Sequence, residues 1–336
     1  MPPKDCVRYG GKRIPFLGSM AVGKRQYAIL EKIGRGDRQR FWVFDRHAGP
    51  RGDFRQILIL PADKTTRQHL AVLQRLSHGN PNLPMILECR QAGTEFHLVT
   101  TWARGEDLDE YLRRSQASLK TWPSPLEVMK LFRGMAHGLS QLHRHCRVVH
   151  GDIRPSNLVF ARTPNRLVMI DFGSAWMMEK TVGRAIGDGI SEYYAAPEQL
   201  QEDGLADFRS DQFSATAVAY ELLTGKRPYG GMGGTAGLPK NRANYEPLYK
   251  PPSALCPLRR EVPRRIWELI DAVVGRGLAL DPPNRFQNRS LWLDALEDVY
   301  CEVRRKPRYS FWDGLLLRFL GRFVRLDKPG SKSLEA

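Results

Sequence analysis

The sequence predicts a two-lobed α+β fold, with a small β-rich N-terminal lobe and a larger helical C-terminal lobe. Three observations carry this prediction. Short runs of β-branched and aromatic residues, bounded by Gly, Pro and Asp, dominate the chain up to Trp102. Helical periodicity dominates from there to the C-terminus. A chain of 336 residues, 42% hydrophobic and 26% charged, has enough apolar material for one large core or two modest ones.

Residues 1–24 are rich in Gly, Pro, Lys and Arg and read as a leader. The N-lobe is expected over 25–101, with strands at 27–33, 41–44, 56–60 and 96–101. Between the third and fourth, Leu70, Leu73 and Leu76 recur at helical spacing and predict one helix over 67–77. The C-lobe is expected over 102–305. Its clearest helix begins at Ser124, where Ser-Pro-Leu-Glu sets a capping hydroxyl, an initiating proline and a capping-box glutamate in order. Val128, Leu131, Phe132, Met135, Leu139 and Leu142 form its apolar stripe, which leads the chain to His150. Further helices are expected at 212–223, 264–279 and 290–304, with a Gly- and Pro-rich loop across 225–252.

Residues 306–336 form a tail. There Trp312, Leu315, Leu316, Phe319, Leu320 and Phe323 oppose Arg318, Arg322 and Arg325, the pattern of a basic amphipathic helix. Such a helix docks on its own domain, on an anionic membrane surface or on a partner.

Five cysteines, never spaced as Cys-x-x-Cys, suggest neither a disulfide framework nor a zinc site. With no signal-peptide pattern and no run of eighteen apolar residues, a cytoplasmic location is expected, peripheral to a membrane if the tail binds one. The net charge of +16 comes from 52 Lys and Arg against 36 Asp and Glu. No long basic block or aromatic-interleaved stripe accompanies it, so nucleic acid is not expected as a partner.

Three segments carry chemistry: His150-Gly151-Asp152-Ile153-Arg154-Pro155-Ser156-Asn157, Asp171-Phe172-Gly173 and Ala196-Pro197-Glu198. In this order and spacing they resemble the catalytic loop, the metal-binding loop and the end of the activation segment of protein kinases. The resemblance covers residues 27–300 and implies the bilobal protein-kinase-like fold. It also implies phosphoryl transfer from ATP with Mg²⁺ to a protein Ser or Thr, a reaction that needs positioning and charge neutralisation more than covalent chemistry. Asp152 would accept the proton of the acceptor hydroxyl. Asn157 and Asp171 would supply hard oxygen ligands to Mg²⁺. Arg154, where the family usually has lysine, would clamp the transferred phosphate.

The resemblance further implies that Asp211 holds the catalytic loop's backbone and that Arg285 pairs with Glu198. Ser191 stands where serine/threonine kinases usually place a threonine facing the substrate. Gly151 replaces the arginine that commonly receives an activation-segment phosphate, so activation by phosphorylation there is not expected. In the nucleotide cleft, Gly34 and Gly36 supply two of three phosphate-loop glycines, with Gln39 at the third. Thr100 would guard the back of the pocket, Thr101, Trp102 and Ala103 would form the hinge, and Val159 would floor the base. Asp107 meets a ribose hydroxyl or caps the next helix.

The N-lobe departs from the family pattern. Leu58 stands at the phosphate-positioning lysine, Gln56 at the small residue over adenine, and His69 at the glutamate that pairs with the lysine. Phe41 is expected to press on the base and narrow the pocket. Arg38, Arg40 and Arg55 are the candidates for a substitute cation, because a one-residue shift of register turns a side chain to the other face. Three readings result: an atypical kinase, a pseudokinase that binds or scaffolds, and a small-molecule phosphotransferase.

Overall fold

The computed structural model describes residues 6–33, 39–63, 66–67, 70–71, 80–162, 164–172, 175–177, 191–201, 204 and 206–305. Gly34, Gly36, Arg38, His69, Leu73, Leu76, Gly173 and the amphipathic tail lie outside the described residues.

Strands β1 (Cys6–Tyr9) and β2 (Lys12–Pro15) form a hairpin closed by Gly10 and Gly11. Both glycines have positive φ, 56° and 77°, which a two-residue hairpin turn requires. Strands β3 (Gly18–Val22), β4 (Arg25–Ile33), β5 (Gln39–Asp45), β6 (Asp53–Pro61), β7 (Ile86–Ala92) and β8 (Glu95–Thr101) make one antiparallel sheet in the order β3-β4-β5-β6-β8-β7. The segment expected to be a leader is thus mostly strand. Its strands are four or five residues long, so the alternation of Val7 with Arg8 and of Met20 with Ala21 is too brief to stand out. The edge strand β7 was not expected either, because Glu88, Arg90 and Gln91 give it the polar character that protects an edge.

Register decides which side chains meet. Arg40 pairs with Leu58, Trp42 with Gln56 and Phe44 with Phe54, while Gln56 and Leu58 pair in turn with Thr100 and Leu98. Directly opposed residues share a face. These therefore line one side of the sheet, the side turned to the helical lobe. Phe41, Val43, Ile57, Ile59 and Val99 line the other and form their own buried cluster with Val22 and Tyr27. The hairpin closes over the outer end of the first face, where Val7, Ala28, Phe44 and Phe54 pack together.

In the remainder, β9 (Glu106–Asp107) leads into α1 (Leu108–Gln116), then α2 (Pro125–Gln141), β10 (Val148–Val149), β11 (Leu158–Arg162), β12 (Asn165–Met169) and β13 (Trp176–Met177). Five further helices come after them: α3 (Phe208–Thr224), α4 (Pro239–Tyr245), α5 (Pro252–Leu255), α6 (Arg264–Gly277) and α7 (Arg289–Arg304). The expected loop across 225–252 holds α4 and several single-turn 3₁₀ segments, because Pro at a first turn starts a helix as readily as it marks a loop. Ser124 caps α2 as predicted, its hydroxyl accepting from the Glu127 N–H at 3.2 Å. Glu127 does not complete a capping box. Its carboxylate accepts from Asn165 instead, tying α2 to β12.

The core of the large lobe centres on α3, most of whose residues are buried, packed against α2 and α6. Gly225 ends α3 at φ 70°, and a Cβ there would lie 2.4 Å from the Trp122 ring. Glycine alone suits that position. Among the described residues, no helix is long and apolar enough to cross a membrane.

Candidate active site

The catalytic loop hangs between β10 and β11, fixed from below by Asp211. This carboxylate, in the first turn of α3 and fully buried, accepts from the backbone N–H of His150 at 2.8 Å and of Gly151 at 2.9 Å. His143 adds a contact of 2.7 Å from the π-helical turn that follows α2. The role expected for Asp211 is what the geometry gives. Gly151 takes φ 75°, a left-handed conformation that glycine meets without strain. Its carbonyl accepts from the Gln199 side chain at 3.0 Å, and Gln199 also receives the Ala196 N–H. A neutral amide thus links the catalytic loop to the Ala-Pro-Glu segment. Gln199 escaped the sequence reading, since a lone glutamine gives no signal.

Asp152 sits half-buried at the tip. Asn157 donates its side-chain amide to both the Asp152 carbonyl, at 2.9 Å, and Oδ2, at 2.7 Å. The Ser191 N–H approaches Oδ1 at 3.4 Å, so Ser191 lies beside the predicted base. Burial pushes the Asp152 carboxyl above the ordinary range, opposed by the charge of Arg154 and by hydrogen bonds from Ser191 and Asn157. Arg154 is oriented by Ser156, whose hydroxyl accepts from Nε at 2.6 Å. His150 is fully buried, which drives its pKa down, and its ring packs 4.6 Å from Phe172.

Asp171 follows β12 with φ 60°, uncommon for a non-glycine residue and a mark of functional backbone strain. Its Oδ2 lies 2.5 Å from Arg40 Nη2. Of the described candidates for a substitute cation, Arg40 and Arg55, Arg40 reaches the metal-binding loop. It stands directly across the strand pair from Leu58, so its guanidinium leaves the same face, one strand away from the missing lysine. Arg55, the other described candidate, points to the opposite face and pairs with Asp53 at 2.5 Å.

The same register corrects the expectation for Phe41. Its side chain belongs to the cluster on the far face, and Trp42 takes the cleft-facing position, stacked on Trp102 of the hinge at 5.6 Å between ring centroids. The alternation of strand residues carried the signal, but the starting register could not be read from a short strand. Thr100 is buried beside Gln56, at the back of the cleft, as expected. Thr101 anchors the hinge by exchanging two hydrogen bonds of 2.9 Å with Met85, and Ala103 follows half-buried. Val159 pairs with both Asp107 and Val168. Asp107 caps α1, accepting from the Asp109 N–H at 2.8 Å, so its helix-capping role is the one seen.

Below the site, Arg285 is fully buried and holds Glu198 with two hydrogen bonds, of 2.7 and 2.9 Å. Its remaining donors reach the carbonyls of Ala279, Arg209 and Leu280. The predicted pair is thus a fully satisfied buried network.

The arrangement sets the Asp152 carboxylate beside the Asn157 amide, and Arg40 of the sheet reaches over to the Asp171 carboxylate. The protein kinase domain model matches residues 57–297, more than half of the chain. The chain therefore belongs to the protein kinase family. It is 30% identical over 185 residues to human ribosomal protein S6 kinase alpha-4, covering 54% of this chain and 23% of that one. It is 29% identical over 226 residues to serine/threonine-protein kinase C of Synechocystis, covering 60% and 40%. Another relative is the tyrosine-protein kinase MasK of Myxococcus xanthus, 29% identical over 244 residues, covering 70% and 35%. The chain thus spans less than half the length of these relatives. Among solved structures, the PknI kinase domain of Mycobacterium tuberculosis shares the fold with TM-score 0.55 at 21% identity, covering 81% of this chain and 96% of that one.

Proposed function

We propose that the chain is an atypical protein kinase that transfers the γ-phosphoryl group of ATP, with Mg²⁺, to a Ser or Thr hydroxyl of a protein. The observation that carries this reading is the Arg40–Asp171 contact, which supplies a cation at the phosphate end of a cleft whose usual lysine is Leu58. Asp152 orients the acceptor hydroxyl and takes its proton. Arg154 and Arg40 face the phosphates from opposite lobes, where fixed charge stabilises a transition state without reorganisation.

The donor set suits Mg²⁺. Asn157 turns its amide nitrogen to Asp152, which leaves its carbonyl oxygen as the metal-binding atom, and Asp171 adds a carboxylate. A carboxylate can serve an arginine and a cation together, having two oxygens. Bound Mg²⁺ supplies charge neutralisation between the phosphates. The hinge residues Thr101, Trp102 and Ala103, with Val159 below, would hold the base, and Trp42 takes the wall position expected for Phe41. The acceptor type rests on Ser191 beside Asp152.

Leu58 and the Trp42–Trp102 stack favour a second reading, a pseudokinase that binds without transferring phosphate. Labelled ATP and Mg²⁺, added to the protein and to Asp152→Asn, separate the two. The kinase reading expects transfer to itself or to a basic model protein, falling about 10²-fold or more in the variant. No transfer, with no stabilisation by nucleotide against heat, would leave the scaffold reading standing.

A further inference from the structure

A cleft of about 620 Å³ opens on the outer side of the hinge, away from Asp152. Arg51 and Arg55 line it from the N-lobe, Arg104 from just past the hinge, Arg166 from β12 of the C-lobe, together with Asp53 and Tyr9. It shares the hinge residues Thr101 and Trp102 with the catalytic cleft as a common wall, while Arg55 enters it from the face of β6 opposite Leu58.

The lining carries four arginines and one aspartate. Asp53 is already saturated: it accepts from Arg55 at 2.5 Å, from Arg104, and from the Phe54 N–H at 2.9 Å. Burial would raise its pKa, but these bonds outweigh it and hold the carboxyl below its usual range. The remaining charge is positive. Two of the guanidinium groups also keep a buried donor unused, since the Nε–H of Arg55 and that of Arg166 have no hydrogen-bond acceptor among the described residues. Guanidinium donors in a fixed fork match the oxygens of a carboxylate or a phosphate, and the phosphate's charge of about −1.5 to −2 and three oxygens suit a lining of several arginines.

We propose that this cleft binds the phosphate group of a small molecule, with Arg166 and Arg55 donating from the two lobes and Arg51 and Arg104 adding charge. Because the donors sit on both sides of the hinge, occupancy would tie the lobes together and limit their opening. The site is a regulatory one, and its existence does not depend on whether Asp152 transfers phosphate.

Isothermal titration of the full chain with inorganic phosphate and with glucose 6-phosphate, without Mg²⁺, tests it. Two variants isolate the cleft: Arg166→Gln, and Arg51→Gln in an exposed turn where folding is not at stake. The proposal expects saturable binding of at least one probe, weakened about 10-fold or more by Arg166→Gln, less by Arg51→Gln, and kept in Arg40→Leu. Preference for the ester over phosphate identifies a metabolite as the occupant, and equal affinity identifies the free anion. Either outcome supports the site. Absence of binding, or affinity unchanged in both cleft variants, would overturn it, as would binding lost only in Arg40→Leu.

Discussion

Arg40 and Leu58 face each other across β5 and β6, and it is Arg40 that reaches Asp171, with Nη2 2.5 Å from Oδ2. A cation has been moved one strand sideways with no change in the face it serves. Both side chains of the pair are partly buried, at 22% and 27% exposure, so the contact is shielded enough to matter and open enough to yield to a ligand.

The Glu198–Arg285 network predicts a large stability effect at a distance from the chemistry. Replacing Arg285 by Met would leave Glu198 buried without its counter-charge, at a cost of about 3–5 kcal/mol. Urea denaturation of Arg285→Met should show this loss. The double variant with Glu198→Gln should lose clearly less than the two single losses added together, because the stranded charge is gone.

Asp211 predicts a local effect as well as a global one. Asp211→Ala would strand the N–H groups of His150 and Gly151 and the His143 ring, a penalty on the order of 3 kcal/mol. Hydrogen exchange at residues 150 and 151 should speed up by more than the overall stability loss explains. Exchange that follows global stability alone would show that the loop is held by other contacts.

The buried Asp152 predicts the direction of a pH profile. Only its ionised form accepts a proton, so kcat/KM falls as pH drops through its pKa, which burial places above the ordinary aspartate value of about 3.9. Arg154 opposes that rise. In Arg154→Gln the acid limb should therefore move to higher pH, whereas a limb that stays put or moves lower would detach Asp152 from the proton transfer.

The C-lobe was legible because its signals are local: a Ser-Pro cap, long apolar stripes, and loop residues whose chemistry is tied to their order. Asp211 and the Glu198–Arg285 pair make the contacts that the sequence led us to expect. The N-lobe was less legible because β-strand meaning depends on register, and one residue of shift exchanged Phe41 for Trp42 at the cleft. Arg40 was one of three candidate arginines in the sequence, and the pairing of β5 with β6 separates it from Arg55. Gln199 and β7 were missed for a different reason, since polar residues at an edge or in a turn carry no periodicity.

The central claim is that Arg40 takes over the role of the absent lysine, and a charge swap between facing strands tests it most directly. Phosphoryl transfer from ATP with Mg²⁺ would be measured for the wild type, Arg40→Leu, and Arg40→Leu combined with Leu58→Lys. Arg40→Leu should lower kcat/KM by about 10²-fold with the fold intact, and the added lysine should recover a substantial part of the loss. Wild-type transfer that is untouched by Arg40→Leu would contradict the account.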